Sequence, residues 1–243
     1  MEDLVAYFTL IGFGPAGWGV PLARAASMTV AVSLSAFGVG IVFGMVGCWA
    51  KLSRSVVAHG AATVYTTVLR GVPDLLVIYL LYFGGSQAIG AIARAFGHQG
   101  FFGLNGFVVG MMAVGIISGA YQTEVLRGAY LAIPRGELEA ARVAGMGRLL
   151  MLRRIIAPQI LRFALPGMGN VWQLVLKESA LISVVGLIEI MNQTRLAVGR
   201  TGAAFSFYIT GAILFLLITT FSGAAFRRAE AWAMRGMGGR VRA

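Results

Sequence analysis

Five long apolar segments dominate this chain of 243 residues and restrict it to folds that cross a membrane. Hydrophobic side chains make up 58% of the sequence and charged ones 12%, against about 25% charged in ordinary soluble domains. A helix needs roughly 20 apolar residues to cross a bilayer. The sequence therefore predicts an all-α polytopic membrane protein with about five spans in one domain, near 25–50, 56–93, 107–126, 163–190 and 203–226.

The second of these spans contains a break. Residues 56–69 are apolar but few, and the sequence Arg70-Gly71-Val72-Pro73 separates them from the next apolar run. Proline removes a backbone donor and restricts the residue before it to extended conformations, so we expect the helix to be interrupted at 70–73. The sequence leaves open whether 56–69 forms a separate, sixth crossing.

The basic residues fall into two unequal groups, which predict the orientation, because Lys and Arg collect on the cytoplasmic side of membrane proteins. The larger group is Lys51, Arg54, Arg127, Arg135, Arg142, Arg148, Arg153, Arg154, Arg162, Arg227, Arg228, Arg235, Arg240 and Arg242; the smaller is Arg24, Arg94, Arg195 and Arg200. With five spans, the N-terminus is expected outside and the C-terminus inside. This topology and contact with anionic lipid account for the net charge of +11, so nucleic acid is not an expected partner.

Few residues of this sequence suggest a disulfide, a metal site or a catalytic site. Cys48 is the single cysteine, so no internal disulfide is possible, and His59 and His98 lack the spacing of a metal pair. No Ser/His/Asp or Cys/His grouping indicates an enzyme. The N-terminus has no basic region before the first apolar run, which argues against a cleaved signal peptide. We expect neither a metal site nor a catalytic site.

A charged segment, about 127–162, lies between the third and fourth spans and predicts a helix, a turn and a second helix. Residues 137–144 favour a short helix in which Ala140 and Ala141 would let another surface approach the backbone closely. Gly145 can take the left-handed conformation that ends such a helix. Four arginines between 142 and 154 keep the segment out of hydrocarbon, where each would cost roughly 2.5 to 3.5 kcal/mol. The positive charge of this segment, taken by itself, would also fit an ordinary basic loop on the cytoplasmic side.

The spacing within this segment is more specific. It resembles the EAA loop of bacterial ABC importer permeases, in which EAA, three residues, Gly, nine residues, Ile, any residue and Leu-Pro follow one another. The matching residues are Glu139, Ala140, Ala141, Gly145, Ile155 and Pro158. Ala157 stands where the family pattern has Leu, so one apolar contact is smaller here.

Three further segments carry the resemblance beyond the loop. They are 65–75, with Arg-Gly-Val-Pro-Asp-Leu; 119–136, which leads into the loop; and 165–189, with Leu-Pro-Gly-Met-Gly-Asn followed by Lys-Glu-Ser-Ala. Together they cover most of 60–190 in the family's order. The chain resembles the histidine/glutamine/arginine/opine group of ABC importer permeases, and most of all its Q-type subunit. The Glu178-Ser179-Ala180 sequence departs from many relatives and leaves the cargo open.

This resemblance implies a type I ABC importer permease fold in a bacterial inner membrane, with the N-terminus in the periplasm. It implies a second, M-type permease subunit, two copies of an ATPase bound to the EAA loops, and an extracytoplasmic solute-binding protein that delivers a polar, basic amino acid or an opine. A homodimer would use similar surfaces. The chain has no GxxxxGK[ST] segment, so ATP and Mg²⁺ would belong to the ATPase. The resemblance thus implies no cofactor in this chain.

Polar residues in and after the fourth span are candidates for the translocation path. Asn170, Gln173 and Lys177 follow i, i+3, i+7 spacing, so they share a helix face, and Glu178, Ser179, Ser183 and Glu189 follow. Buried polar groups in membranes face either a cavity or a partner helix, and structural packing is the alternative reading here. Glu189 is the candidate to attract a cationic cargo.

The sequence leaves two further points open, the role of its glycine pairs and a rival function. Gly40 and Gly44, and likewise Gly115 and Gly119, have the GxxxG spacing of closely crossing membrane helices, which could mark a dimer interface or chance in a Gly-rich chain. The rival function is an ion-coupled secondary carrier or channel. Its acidic residues would have to come from Asp74, Glu124, Glu178 and Glu189, most of which lie near predicted span ends.

Overall fold

The computed structural model describes residues 2–14, 17–95 and 105–235, and within these ranges all regular structure is helical. His98, Arg240 and Arg242 lie outside the described residues. The α-helices are α1 (Glu2–Ile11), α2 (Gly19–Leu52), α3 (Val56–Gly71), α4 (Asp74–Tyr79), α5 (Gly85–Ala95), α6 (Gly106–Leu131), α7 (Arg135–Val143), α8 (Arg148–Met151), α9 (Ala157–Glu178), α10 (Ile190–Thr201) and α11 (Ala204–Ala233).

Two pairs of consecutive helices, α4 with α5 and α8 with α9, are each joined by a π-helical turn. Leu80–Gly84 joins α4 to α5, and Leu152–Ile156 joins α8 to α9. The residues at these junctions keep right-handed helical dihedrals, so each rod continues through its π turn. A 3₁₀ helix, Ser179–Val185, follows α9 and ends at Gly186 with φ of 86°. The chain then turns into α10.

Four helices among the described residues are long and apolar enough to cross a membrane: Gly19–Leu52, Asp74–Ala91, Gly106–Leu131 and Ala204–Ala233. They contain the first, third and fifth predicted spans and the second half of the second. The predicted span at 163–190 is not one continuous helix. α9 ends at Glu178, a 3₁₀ helix follows over Ser179–Val185, and α10 begins at Ile190. Lys177 and Glu178 make that end of α9 polar. Whether α9 completes a fifth crossing stays a prediction.

Two short helices, α1 and α10, were not expected from the sequence. In α1, the Tyr7 hydroxyl is 2.7 Å from Thr210 Oγ1 of α11. The apolar side chains of α1 and of the residue before α2 join a small cluster with α10 and α11 that includes Leu10, Trp18, Leu22, Ala197 and Phe207. This cluster fixes α1 and α10 against the end of α11 near Ala204.

The main core lies where α2, α4, α6, α9 and the 3₁₀ helix meet. It contains the buried side chains Val32, Ala36, Ile78, Ala113, Val114, Val171, Val175, Ile182 and Val185. Beside it, the rings of Phe37, Trp172 and Phe226 pack against one another with centroids 5.5 to 6.3 Å apart. This aromatic group joins α2, α9 and α11.

The glycine pairs are used inside the chain, in the contact between α2 and α6. A Cβ added at Gly40 would lie 2.3 Å from Ser118 Oγ, and one added at Gly44 would lie 2.8 Å from Gln122 Cβ. Gly115 and Gly119 of α6 face α2 in the same way. Small residues at these positions let the two backbones approach closely. The GxxxG pairs therefore pack two helices of one protomer.

This contact predicts different effects for two glycines of α2. Gly44→Ala is expected to lower the unfolding midpoint of the protein in detergent, because its Cβ would meet the Gln122 side chain and, at 3.3 to 3.4 Å, the α6 backbone. Overpacking of this kind costs roughly 1 to 3 kcal/mol. Gly38→Ala is the matched control, since its added Cβ has no atom of the described part of the chain within 4 Å. Equal midpoints for the two variants would contradict the packing.

Candidate functional site

The loop between α6 and α9 has the geometry of a helix closed by a left-handed glycine. The Gly145 amide donates to the Arg142 carbonyl at 3.0 Å, and the Met146 amide donates to the Ala141 carbonyl at 3.0 Å. This pair of bonds is the Schellman arrangement that ends helices at a glycine with positive φ. Gly145 has φ of 76°, as α7 requires for this ending.

The turn brings α7 back against the start of α9. Gln159 donates a side-chain hydrogen bond to the Glu137 carboxylate, which links the two helices. A cavity of about 510 Å³ opens between them and is lined by Glu137, Ala140, Ala141, Ala144, Met146, Arg154, Ile155, Pro158, Gln159 and Arg162. Four residues of the EAA spacing, Ala140, Ala141, Ile155 and Pro158, thus line one cavity. Glu139 and Gly145 are exposed beside it.

The outer surface of this loop is unusually apolar for a segment so rich in arginine. Val143 is 90% exposed and Leu149 is 78% exposed, and the two lie on either side of the Gly145 turn. An exposed apolar patch rimmed by polar residues is typical of a protein interaction site. We name the cavity between α7 and α9, with Val143 and Leu149, the loop surface.

The predicted break lies between α3 and α4. α3 ends at Gly71 and α4 begins at Asp74, while Val72 and Pro73 have extended ψ angles of 139° and 130°. The break places Asp74 in the first turn of α4. Here an acidic side chain is favoured by the unpaired amides and the positive end of the helix dipole.

Four polar side chains, one guanidinium, one phenol and two carboxyls, meet next to this break. The Arg70 guanidinium lies over the Tyr121 ring at 5.3 Å from its centroid, which is within the range of a cation–π contact. Tyr121 lies within electrostatic range of both Asp74 and Glu178, and the two carboxyls are close enough to interact with each other. We name Arg70, Asp74, Tyr121 and Glu178 the carboxylate cluster. It joins α3, α4, α6 and α9.

Glu178 is the least satisfied member of the carboxylate cluster. Its residue is 4% exposed, and neither carboxylate oxygen accepts a hydrogen bond from a donor in the described part of the chain. Within those same residues, neither Glu178 nor Asp74 forms an ion pair. The Asp74 carboxyl is within interaction distance of Glu178, and a charged carboxylate at this buried position needs a cation, so the pair of carboxyls is suited to accepting one from outside the chain.

A separate charged group lies nearer the loop. Glu124 accepts from Lys51 of α2 and, at 3.0 Å, from Arg127 on its own helix. With Thr66, Thr67, Arg70 and Gly71, the Lys51–Glu124 pair lines a cavity of about 310 Å³. The Glu124 carboxylate is thus fully engaged in positioning α2 against α6.

The remaining candidates for the translocation path differ in how exposed they are. Asn170 and Lys177 are exposed on the outer face of α9 and Gln173 is half-buried there, whereas Ser179 and Ser183 are buried in the protomer. Glu189 is fully buried and caps α10, with its carboxylate accepting from the amides of Met191 and Asn192 at 2.9 and 2.8 Å. The sequence missed Asp74 as a partner of Glu178. Its position at the first turn after a proline break, inside an apolar run, was the available signal.

These features define a class of protein. Long apolar helices, a charged helical loop with exposed apolar side chains and polar groups at a broken helix together are typical of a polytopic membrane transport subunit. Among the described residues, no group of three or more His, Cys, Asp or Glu side chains could hold a metal ion.

The family is shown by comparison with known proteins. Residues 20–232 match the family model for the inner membrane component of binding-protein-dependent transport systems, and the chain belongs to this family. It is therefore a permease subunit of an ABC transporter in an inner membrane, and it is not itself catalytic. The comparisons do not favour the ion-coupled carrier considered above.

Two relatives and one solved structure illustrate the similarity. The chain is 58% identical to the octopine transport system permease protein OccQ of Rhizobium radiobacter, over 95% of this chain and 98% of the relative. It is 36% identical to the histidine/lysine/arginine/ornithine transport system permease protein HisQ of Escherichia coli, over 85% and 90%. A crystal structure of an amino acid ABC transporter with histidines superposes with a TM-score of 0.74 and 28% identity, over 88% and 94%. The predicted all-α fold of a type I ABC importer permease is confirmed, whereas the number of spans and the coupling role of the EAA loop stay predictions.

Proposed function

We infer that this subunit forms half of the path by which an ATP-driven importer takes up an amino acid or derivative that carries a cationic guanidinium group, with an opine of the octopine type as the first cargo to test. The carboxylate cluster is the observation that carries the proposal. Asp74 and Glu178 present two acidic groups that form no ion pair among the described residues, although Arg70 lies in the same cluster, and octopine and arginine both carry a guanidinium. A planar guanidinium pairs well with carboxylates and stacks on aromatic rings, as Arg70 does on Tyr121 in this cluster.

The outer face of α9 supports the position of the path. Asn170 and Lys177 are polar and exposed on a helix that packs inside an apolar bundle. Polar side chains at membrane depth are stable when they face a water-filled cavity or a partner subunit. A second permease subunit, of the M type, would cover this face and enclose the path between the two chains. Gln173 extends the polar lining along α9, whereas Ser179 and Ser183 are buried in the protomer and follow Glu178 of the carboxylate cluster in the chain.

The loop surface is the proposed coupling site. A helix of the ATPase would contact Ala140 and Ala141 of α7 and Ile155 and Pro158 at the start of α9, because these residues line the same cavity. Val143 and Leu149 would be buried in this contact. Two ATPase copies would bind the loops of the two permease subunits, and ATP with Mg²⁺ would be held there.

The orientation of the chain follows from this assignment. The loop lies on the cytoplasmic side with its arginines, the N-terminus lies in the periplasm, and α1 and α10 face the solute-binding protein. The cluster of Trp18, Leu22 and Phe207 would then brace the surface on which that protein delivers its cargo.

Uptake by cells lacking the gene tests the function and the cargo together. Cells complemented with the native chain would receive labelled octopine, arginine, histidine, lysine and glutamine, with and without depletion of ATP while the ion gradient is maintained. We expect uptake of a guanidinium cargo that stops when ATP is depleted. Uptake that continues on the ion gradient alone would instead support the carrier. Restoration of glutamine uptake alone would contradict the cationic cargo.

A further inference from the structure

We propose that the groove between the start of α9 and the end of α11 binds the phosphate headgroup of an anionic phospholipid. The groove has a volume of about 320 Å³ and is lined by Pro158, Leu161, Arg162, Trp232, Ala233 and Arg235. It brings Arg162 of α9 and Arg235, which follows the end of α11, together with apolar side chains. The ATPase-coupling assignment is not needed for this site.

The charges in the groove have no acidic partner. Among the described residues, Arg162 and Arg235 form no ion pair, and Arg227 and Arg228 add further positive charge on α11. Arginine presents a planar fork of donors that matches the geometry of a phosphate. Two guanidiniums facing one groove are therefore complementary to a phosphate diester.

The position of the groove favours a lipid over another source of phosphate. The apolar part of α11 ends at Arg227 and Arg228, and Trp232 lies about 7 Å farther along the axis, a distance comparable with the headgroup region of one leaflet, roughly 5 to 8 Å. Leu161 is 56% exposed and Trp232 is 67% exposed. Tryptophan is enriched at this depth, where its ring contacts acyl chains and its N–H stays near the headgroups.

Tryptophan quenching in bilayers measures this binding directly. The complete transporter would be placed in phosphatidylcholine bilayers containing brominated phosphatidylglycerol or, separately, brominated phosphatidylcholine. We expect stronger quenching by the anionic lipid, and Trp232→Phe should remove that difference. Arg162→Gln combined with Arg235→Gln is expected to weaken the preference for the anionic lipid by about 30-fold, from the usual contribution of two basic residues near an anionic surface.

The matched control is Arg54→Gln combined with Arg228→Gln, which removes two basic charges of the same group outside the groove. This control variant should keep most of the preference for the anionic lipid. If it loses as much of that preference as the groove variant, the lipid is attracted by diffuse surface charge, and the proposed binding site is overturned. Displacement of the anionic lipid by inorganic phosphate, against chloride at equal ionic strength, would show a free phosphate site instead. Loss of the ATPase from the purified groove variant, with lipid preference intact, would assign the groove to that protein and would also overturn the proposal.

Discussion

Gly145→Asp is expected to abolish ATP-driven uptake while the permease still inserts and folds. Gly145 has φ of 76°, a conformation that other residues adopt at a cost of roughly 1 to 3 kcal/mol. No atom of the described residues lies within 4 Å of a Cβ added there, so the substitution creates no clash with them. The new carboxylate would instead project from the loop surface between Val143 and Leu149, where the ATPase is proposed to dock. Uptake and co-purification of the ATPase should both be lost.

Two control variants separate conformation from charge. Gly145→Asn has nearly the same shape without the charge, and Asn tolerates the left-handed region better than most residues, so partial uptake should remain. Gly147→Asp places the same charge two residues away, at a position with ordinary φ of −63° that precedes α8. It should retain more uptake than Gly145→Asp. Normal uptake by Gly145→Asp itself would contradict the proposed coupling role of the loop.

The loop and the break were predictable because their causes are local. A glycine after a short helix determines where α7 ends, and Pro73 with its effect on Val72 determines where α3 gives way to α4. These signals act within a few residues and can be read from the sequence. The apolar runs also predicted α2, α6 and α11, because the length of a span depends on the thickness of the bilayer.

The features that the sequence did not predict depend on contacts between distant segments. α1 is held by Tyr7 and Leu10 against residues about 200 positions later, and the end of α9 changes to a 3₁₀ helix where Glu178 meets Asp74 of α4. The sequence named Glu189 as the candidate to attract a cationic cargo. The structure gives its carboxylate a capping role on α10, and its proposed attraction of cargo remains a prediction.

Glu178→Gln is expected to reduce uptake of a cationic cargo by about 10- to 150-fold in kcat/KM, the range that corresponds to loss of one hydrogen bond to a charged group, about 1.5 to 3 kcal/mol. The amide has almost the same shape as the carboxylate, so the packing of α9 should be kept. Asp74→Asn should have a similar effect. Since both carboxylates would bind the same cation, the double variant should lose less than the sum of the two single losses in free energy.

The change in selectivity distinguishes a cargo site from structural packing. If Glu178 contacts the cation, Glu178→Gln should lower uptake of arginine or octopine much more than uptake of a neutral amino acid such as glutamine. If Glu178 only holds helices together, all cargoes should decline in proportion, together with the amount of folded protein. Glu230→Gln is the matched control, because it removes one carboxylate from α11, outside the carboxylate cluster. A proportional decline for Glu178→Gln would remove the carboxylate cluster from the translocation path, because a cationic and a neutral cargo differ in the charge that this site would bind.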